Sequence, residues 1–434
     1  MTDTAPRANR HASPPHLTLT VADERFGPIG YVVIDRPLRG TTSGGTRFAP
    51  DVSPAELAQL ARAMTYKWAF LNVPMGGAKA GVFADPDRLG VSRADLMEAF
   101  GRAIAPLVQR QVYLPGIDLG TTLDDLRAIM RGAGRPLPEK QIDGSYVTAL
   151  TVFETLRQSV QFTGGSLAGQ RVALEGFGKV ASQIAQFLAE AGARIVALST
   201  LEGALANEAG LDVRRLLALK AVHGDSLVRY YPGGQPLAPE QLFTWPVDVV
   251  IPGARPGVIH AGNADQVQAR WLVPISNVPV TADAEQRLLA RGVLVLPDFV
   301  ANCGGILASA MLSDGFDLDD ARRLVTTTFA QVVHELLAGA QASQVSVLAA
   351  ARALAWRNHD SLGQTPAQPG DLMSRVARVI RGQALDGVWR RLAWRAHHQQ
   401  PDAPAAVRRA AADRFAELTL GQTLQRIQEE PSAA

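Results

Sequence analysis

The stretch RVALEGFGKVASQIAQFLAEAGARIVALST, residues 171–200, decides the fold. It opens with a short apolar run of strand type, RVALEGFG (171–178), and closes with a second, ARIVALS (193–199). Between them SQIAQFLAEAG carries apolar residues at helical spacing. Gly176-Phe177-Gly178-Lys179-Val180-Ala181 stands where the first strand turns into the helix, in the GxGxxA form of the dinucleotide fingerprint. Gly176 makes the tight turn, Gly178 lets backbone approach a pyrophosphate, and the small Ala181 allows close helix–sheet packing, with the helix N-terminus facing the phosphates. Alone, the motif also fits a structural glycine turn. The strand before it and the helix and strand after it make it a nucleotide site.

Outward from this unit the same alternation continues. VDVVIPG (247–253), WLVPIS (271–276) and GVLVLPD (292–298) are further strand-type runs with helix-like stretches between several of them. Alternating strands and helices predict a parallel, doubly wound sheet. Towards the N-terminus a first α/β unit is expected over residues 15 to about 140: IGYVVID (29–35) reads as a strand, and Ser53-Pro54-Ala55-Glu56 as a capping box with proline at the first helical position. Leu57, Leu60, Ala61 and Met64 then recur at helical spacing. GAGRPLPEKQIDG (132–144) reads as a linker, the nucleotide domain as 145–316, and 317–362 as helical. GQTPAQPGD (363–371) is a linker by composition and opens a C-terminal extension, 363–434.

Composition narrows the class. A chain of 434 residues suggests two domains, and a hydrophobic content of 47% supplies their cores. A net charge of +2 gives no bulk electrostatic case for nucleic acid or an anionic membrane. The single cysteine, Cys303, excludes an internal disulfide, and no Cys/His cluster suggests a structural metal. Residues 1–14 are polar and Pro-rich, read as a disordered tail rather than a secretory signal. With no apolar run of membrane-spanning length, the chain is most simply cytoplasmic.

The chemistry-bearing stretch is MTYKWAFLNVPMGGAKAGV, residues 64–82. Lys67 falls near the end of the helix and Lys79 in what reads as a Gly-Gly-Ala-Lys turn, beside a strongly apolar run. Apolar burial favours the neutral amine of a lysine, which makes it usable as a base. A solvated turn lysine is the plainer alternative. GGTRFAPD (44–51), MTYK, GGAK and PGIDLGTT (115–122) follow in order, and together they resemble the Glu/Leu/Phe/Val dehydrogenase family of amino-acid dehydrogenases over roughly residues 30–360. The resemblance implies two domains. One is an N-terminal α/β substrate and oligomerisation domain, to which the helices of 317–362 return. The other is a Rossmann-type nucleotide-binding domain. It also implies a homo-oligomer and a site in the interdomain cleft.

By that similarity Lys67 binds the substrate α-carboxylate, Lys79 is the catalytic lysine that activates water against an iminium, and Asp118 shuttles a proton to and from the amino group. Asp118 could instead cap the helix that begins near Thr122. The family pattern also places Thr148 in VTALTVFE near the nicotinamide, Ala254 and Asn277 (in PISNVPVT) beside the cofactor, and Asn302 in ANCGG between substrate and nicotinamide amide. Pro274 departs from the glutamate usual there, and Cys303 reads as a small core residue. At the end of the second strand Ser199 and Thr200 stand where an acidic residue is expected, with Glu202 just beyond. NAD and NADP both stay open, NAD favoured because no arginine follows the strand.

Substrate choice turns on Ser43, Gly44 and Gly45 in TTSGGTR. Glutamate enzymes of the family carry a lysine where Ser43 stands, and leucine, phenylalanine and valine enzymes an apolar residue. A buried side-chain carboxylate without a cationic partner is costly. Ser309 in GGILASA matches a serine of glutamate enzymes, and Arg39 could reach the pocket in place of the lysine. The reading favours a monocarboxylic L-amino acid, with glutamate as the alternative. A non-catalytic regulatory or assembly subunit is the alternative of another class. In the extension, Val376, Val379, Ile380, Trp389, Leu392 and Ala393 recur at near-helical spacing, read as surface helices covering the protein's own core or as a subunit or partner contact.

Overall fold

The computed structural model describes residues 13–135, 137, 144–313, 316–364 and 405–429. The tail before residue 13, residues 136 and 138–143 of the 132–144 linker and the Trp-bearing stretch 374–398 lie outside the described residues. The chain divides into two compact units: Met1–Ala69 with Val73–Gln141 and Ser361–Thr365, and Phe70–Asn72 with Ile142–Asp360 and Pro366–Ala434.

The first unit is built on strands β1 (Leu17–Asp23), β2 (Gly27–Arg36), β3 (Thr42–Phe48), β4 (Gly76–Val82) and β5 (Tyr113–Ile117), in sheet order β1-β2-β4-β3-β5. β1, β2 and β4 pair antiparallel, while β3 runs parallel to both β4 and β5. Helix α1 (Pro54–Phe70) joins β3 to β4; α2 (Arg93–Ala103) and α3 (Leu123–Gly132) follow. Successive side chains on a strand point to opposite faces. Val32 and Ile34 accordingly join Leu96, Phe100 and Ile129 of α2 and α3, whereas Val33 joins Leu57 and Ala61 of α1. Each large aliphatic or aromatic side chain so buried contributes roughly 1.5–3 kcal/mol.

The same alternation corrects the reading of GGAK as a turn. All seven residues of β4 are buried strand residues. Ala78, Ala80 and Val82 face α2 and α3, which leaves residues 77, 79 and 81 on the α1 side. A Cβ at Gly77 would lie 2.1 Å from the Ala61 carbonyl oxygen, and one at Gly81 2.3 Å from Val52 Cγ1. The glycines exist because α1 lies directly on the strand, and Lys79 stands between them.

The second unit opens with helix α4 (Ser145–Phe162) and continues through β6 (Arg171–Leu174), α5 (Lys179–Glu190), β7 (Arg194–Thr200), β8 (Gly203–Ala206), α6 (Val213–His223), β9 (Gln235–Leu237), β10 (Val249–Ile251), β11 (Trp271–Leu272) and β12 (Leu294–Val295). The sheet order is β12-β11-β10-β6-β7-β8-β9. The strands from β12 to β7 are parallel, and β8 and β9 are antiparallel additions. This is the doubly wound arrangement expected, with the strand order reversing between β6 and β10, where such sheets bind ligands. The strands are shorter than the apolar runs that announce them. The strands within VDVVIPG and WLVPIS end at Ile251 and Leu272, and Pro252, directly after the first, lacks the N–H a ladder needs.

Further helices of the unit include α7 (Gly304–Ser313), α8 (Ala330–Ala342), α9 (Val347–Gln364, whose last residues group with the first unit) and, after the undescribed stretch, α10 (Ala405–Ala416). A π-turn, Glu417–Gly421, leads to the last helix, α11 (Gln422–Glu429), which packs on α8. Phe415 packs edge-on against Phe316 at 5.5 Å and is buried with Leu420 and Ile427.

Candidate functional site

The candidate residues fall into two groups, one in each unit. In the first, the buried Lys79 ammonium lies 3.1 Å from Asp118 Oδ1. Arg47 Nε donates to Asp118 Oδ2 at 3.2 Å, and Arg47 Nη1 pairs with Glu56. Glu56 in turn donates its N–H to Ser53 Oγ at the start of α1, but its carboxylate is taken by Arg47 rather than by the capping box that the sequence suggests. Asp118 does not cap the next helix: Thr122 does, in a reciprocal box with Asp125. Burial alone would raise the Asp118 carboxyl. Lys79 and Arg47 outweigh it and hold the group below the ordinary carboxylate range. Asp118 is therefore ionised at neutral pH, between two cations.

Gly44 and Gly45 make this approach possible. β3 lies between β4 and β5, so Lys79 reaches Asp118 across it. A Cβ at Gly45 would come 2.8 Å from Asp118 Cβ and 2.5 Å from the Ile117 carbonyl oxygen, and one at Gly44 1.6 Å from the Ala78 carbonyl oxygen. The Tyr113 hydroxyl donates to the Gly44 carbonyl at 3.0 Å, and its burial pushes the phenol pKa upward. Lys67, also buried, occupies the last turn of α1. Its neighbour Trp68 donates Nε1–H to the Ser43 carbonyl at 3.3 Å. The Ser43 hydroxyl donates to the Leu114 carbonyl at 3.0 Å. Arg39, at φ 52°, donates to the Leu362 carbonyl at 3.3 Å, so a guanidinium contact of the residue suggested as a substitute for the missing lysine goes to backbone.

The second group surrounds the carboxyl ends of β6 and β10. Gly176 adopts φ 80° and donates its N–H to Ser199 Oγ at 3.3 Å. No described atom lies within 4 Å of a Cβ built at Gly178, and α5 has no side-chain cap. A helix N-terminus with no side-chain cap beneath bare glycine is suited to a phosphate. Phe177 and Ala181 are buried behind it, whereas Lys179 is exposed. Lys220 of α6 bonds the Phe177 carbonyl and lies 5.2 Å from its ring centroid; burial lowers its pKa, partly offset by Asp225. The Thr200 hydroxyl donates to the Asp225 carbonyl at 2.6 Å. Glu202 pairs with Arg229 at 2.6 Å. Arg229, 27 residues further along the chain, is thus held beside the turn after β7 by Glu202.

Glu175, one residue before the fingerprint, accepts from the N–H groups of Gly253 and Ala254, both at 3.0 Å, and so ties the loop after β10 to the glycine turn. Burial raises its pKa against the pull of these donors and Arg255. Asn302 Nδ2 donates to the Ile275 carbonyl at 2.8 Å, with Asn277 Oδ1 at 3.1 Å. Its own Oδ1 is buried with no partner among the described residues. An orphaned buried acceptor is costly unless a ligand donor completes it, and an amide N–H₂ of a nicotinamide suits it. Val278 beside Asn277 is held at φ 50°, a strained value for a β-branched residue, with its N–H on Asp298 Oδ2 at 2.8 Å. Thr148 of α4 faces Gly305 closely enough that a Cβ there would sit 3.1 Å from its Oγ1. Its hydroxyl donates to the Gly144 carbonyl. The exposed Ser309 donates to the Gly305 carbonyl at 3.1 Å, and Cys303 is fully buried. The open glycine turn, the uncapped helix and the orphaned acceptor fit a dinucleotide.

Arg47, Glu175, Lys220 and Arg229 escaped the sequence reading. Arg47 stands within the quoted GGTR and Glu175 immediately before GFGK, so position beside a motif is the signal for both.

A doubly wound sheet with a dinucleotide turn, in a chain whose other unit buries two lysines and pairs one with an aspartate, defines a nicotinamide-dependent oxidoreductase. Sequence models of the family described as Glutamate/Leucine/Phenylalanine/Valine dehydrogenase match residues 143–358, and those of its dimerisation domain match residues 23–134. The chain belongs to this family and is an NAD(P)-dependent amino-acid dehydrogenase acting on the CH–NH₂ group. It is 33% identical over 288 residues to the NADP-specific glutamate dehydrogenase of Saccharolobus shibatae, covering 62% of this chain and 67% of that protein. It is 33% identical over 318 residues to the glutamate dehydrogenase of Thermotoga maritima, covering 68% of this chain and 75% of that protein. Its structure resembles the Leu-bound form of the hetero-hexameric glutamate dehydrogenase of Thermus thermophilus, with a TM-score of 0.69, 28% identity, and coverage of 83% of this chain and 92% of that one. Among the described residues, no helix is long and apolar enough to cross a membrane.

Proposed function

We propose that the protein catalyses reversible oxidative deamination of a monocarboxylic L-amino acid to its 2-oxo acid and ammonia. The observation that carries this reading is the buried Lys79–Asp118–Arg47 cluster. Lys67 holds the α-carboxylate as a fixed point charge. Asp118, kept ionised by its two cations, takes a proton from the substrate ammonium. Bound at the glycine turn, the dinucleotide supplies the acceptor for the hydride that leaves Cα. Water then attacks the iminium carbon, its proton passing to Lys79 once that side chain has released its own ammonium proton; the carbinolamine, held by Lys79, collapses with its hydroxyl proton leaving to solvent, and Asp118 returns its proton to the departing ammonia. One water is consumed, and one ammonia and one 2-oxo acid leave.

Preference for an uncharged side chain rests on Ser43. It supplies no cation, and its hydroxyl proton is engaged by Leu114. Glutamate is the second reading, favoured by the glutamate dehydrogenases among the relatives and by Ser309. Either dinucleotide suits the strand end, where Thr200 replaces a carboxylate and Lys220 and Arg229 bring positive charge. The matched dimerisation domain supports a homo-oligomer; a cytoplasmic location is part of the same proposal. The test is a screen of reduced nicotinamide formation over L-amino acids with NAD and with NADP. Turnover of leucine, valine or phenylalanine above glutamate is expected. Turnover of glutamate alone would replace the substrate assignment, and no turnover with retained dinucleotide binding would favour a regulatory subunit.

A further inference from the structure

The corner between α1 and β4 is held by the far end of the chain. Asn72 at this corner is left-handed, with φ 54°. Its Nδ2 donates to the Leu418 carbonyl at 3.2 Å and to Gln422 Oε1 at 2.8 Å, and its Oδ1 accepts from Arg426 Nη1 at 2.8 Å. Arg426 Nη1 also donates to Asn358 Oδ1 at 2.6 Å, Asn358 Nδ2 to Thr423 Oγ1 at 3.0 Å, and Thr423 Oγ1 to the Phe70 carbonyl at 2.8 Å. Asn72, Asn358 and Thr423 are all buried. The last carbonyls of a helix have no partner within it, and Thr423 caps one of those of α1. Three residues before Phe70 stands Lys67, and seven after Asn72 stands Lys79. The family match ends at residue 358, so α11 lies beyond it.

We propose that α11 is a positioning brace for substrate binding. By capping the last turn of α1 and gripping both ends of the Asn72 amide, it fixes the helix end that presents Lys67 and the entry into β4. Arg426 is its central positioning residue. The reason for a half-buried guanidinium here is geometric: one Nη1 reaches two amide oxygens from different segments, Asn72 and Asn358. The brace acts on the amino acid, through Lys67, and not on the dinucleotide turn. It rests on the assignment of Lys67 to the substrate carboxylate.

The experiment uses full-length Arg426→Ala and, in case its half-buried site does not tolerate truncation, the near-isosteric Thr423→Val. Three quantities are read: steady-state KM and kcat for the amino acid, dinucleotide affinity, and amide hydrogen exchange of segments 64–82 and 171–199. A modest misplacement of a binding group costs on the order of tenfold or more, so KM for the amino acid should rise about tenfold, with kcat and dinucleotide affinity changing less than about twofold. Exchange should quicken in 64–82 and stay unchanged in 171–199, and Arg426→Lys should recover part of both effects. Unchanged KM, with or without faster exchange, would overturn the brace, as would equal exchange increases in both segments. If the wild type turns over no amino acid, the Lys67 assignment fails, and unchanged exchange in 64–82 would then remove the brace on its own evidence.

Discussion

The two groups of site residues hold their carboxylates in opposite ways. Asp118 in the first unit lies between Lys79 and Arg47 and is held below the ordinary range; Glu175 in the second is buried mainly against backbone N–H groups and is pushed above it. The first group is a cluster of full charges, in which each ion's desolvation is offset by its partners. The second works with glycine geometry, an uncapped helix and a neutral amide, Asn302. Paired full charges make up the core of the first group; in the second, the charges of Lys220 and of the Arg229–Glu202 pair stand around a glycine turn and a neutral amide.

The sharpest way to break this contrast is Asp118→Asn. It keeps the shape but leaves two buried cations facing a neutral group, so kcat/KM should fall about 10²–10⁴-fold, the usual contribution of a positioned acid–base group. A stability cost of up to about 3–5 kcal/mol should accompany it. Because the folded carboxyl titrates below its unfolded value, that stability is full at neutral pH and is lost as pH falls through the lowered folded pKa. Melting curves of wild type and variant should therefore converge in acid; a gap constant with pH would contradict the ion-pair account.

Asn302→Ala removes the orphaned Oδ1 together with the tie to Ile275. Loss of such a hydrogen bond with a ligand should weaken dinucleotide or substrate binding by roughly tenfold to a hundredfold. Unchanged binding in calorimetry would mean that the atom meets no ligand.

Ser43→Lys restores a cation in the substrate half and should shift the ratio of glutamate to leucine turnover by about tenfold, one charge-assisted hydrogen bond's worth. An unaltered ratio would misplace the pocket.

Glu175→Gln should have the smallest effect, with the sign opposite to that at Asp118. Its folded pKa is raised, so the wild-type carboxyl's burden is full above that pKa and is relieved as pH falls from it to the unfolded value. The variant should melt about 2–4 °C higher at neutral pH, the shift expected of about 1 kcal/mol in a chain of this class, and the gap should close as pH falls. A lower melting temperature at neutral pH would show that the charge itself holds the loop after β10.

What the sequence made legible follows the same division. The glycine turn was readable because Gly176 at φ 80° admits few other residues, and a strand, helix and strand surround it in one short stretch. GGAK misled because two glycines beside a lysine look like a turn; they are strand residues, Gly76 pressed by the backbone of Arg36 and Gly77 by α1, a tertiary cause invisible along the chain. Arg229 was missed for a related reason. It reaches Glu202 across 27 residues, a distance over which local patterning says nothing. The apolar run VDVVIPG outlasts its strand because Pro252, directly after Ile251, has no N–H to donate.

The central claim is that Lys79 performs chemistry rather than holding the fold or the dinucleotide. The direct measurement is a comparison of wild type and Lys79→Ala in one set of samples, reading dinucleotide affinity together with ammonia released per nicotinamide reduced. The account predicts equal affinity within about twofold, one ammonia per reduced nicotinamide in the wild type, and a fall in turnover of at least about 10³-fold in the variant. Turnover retained within about tenfold, or an affinity lost in step with turnover, would contradict it.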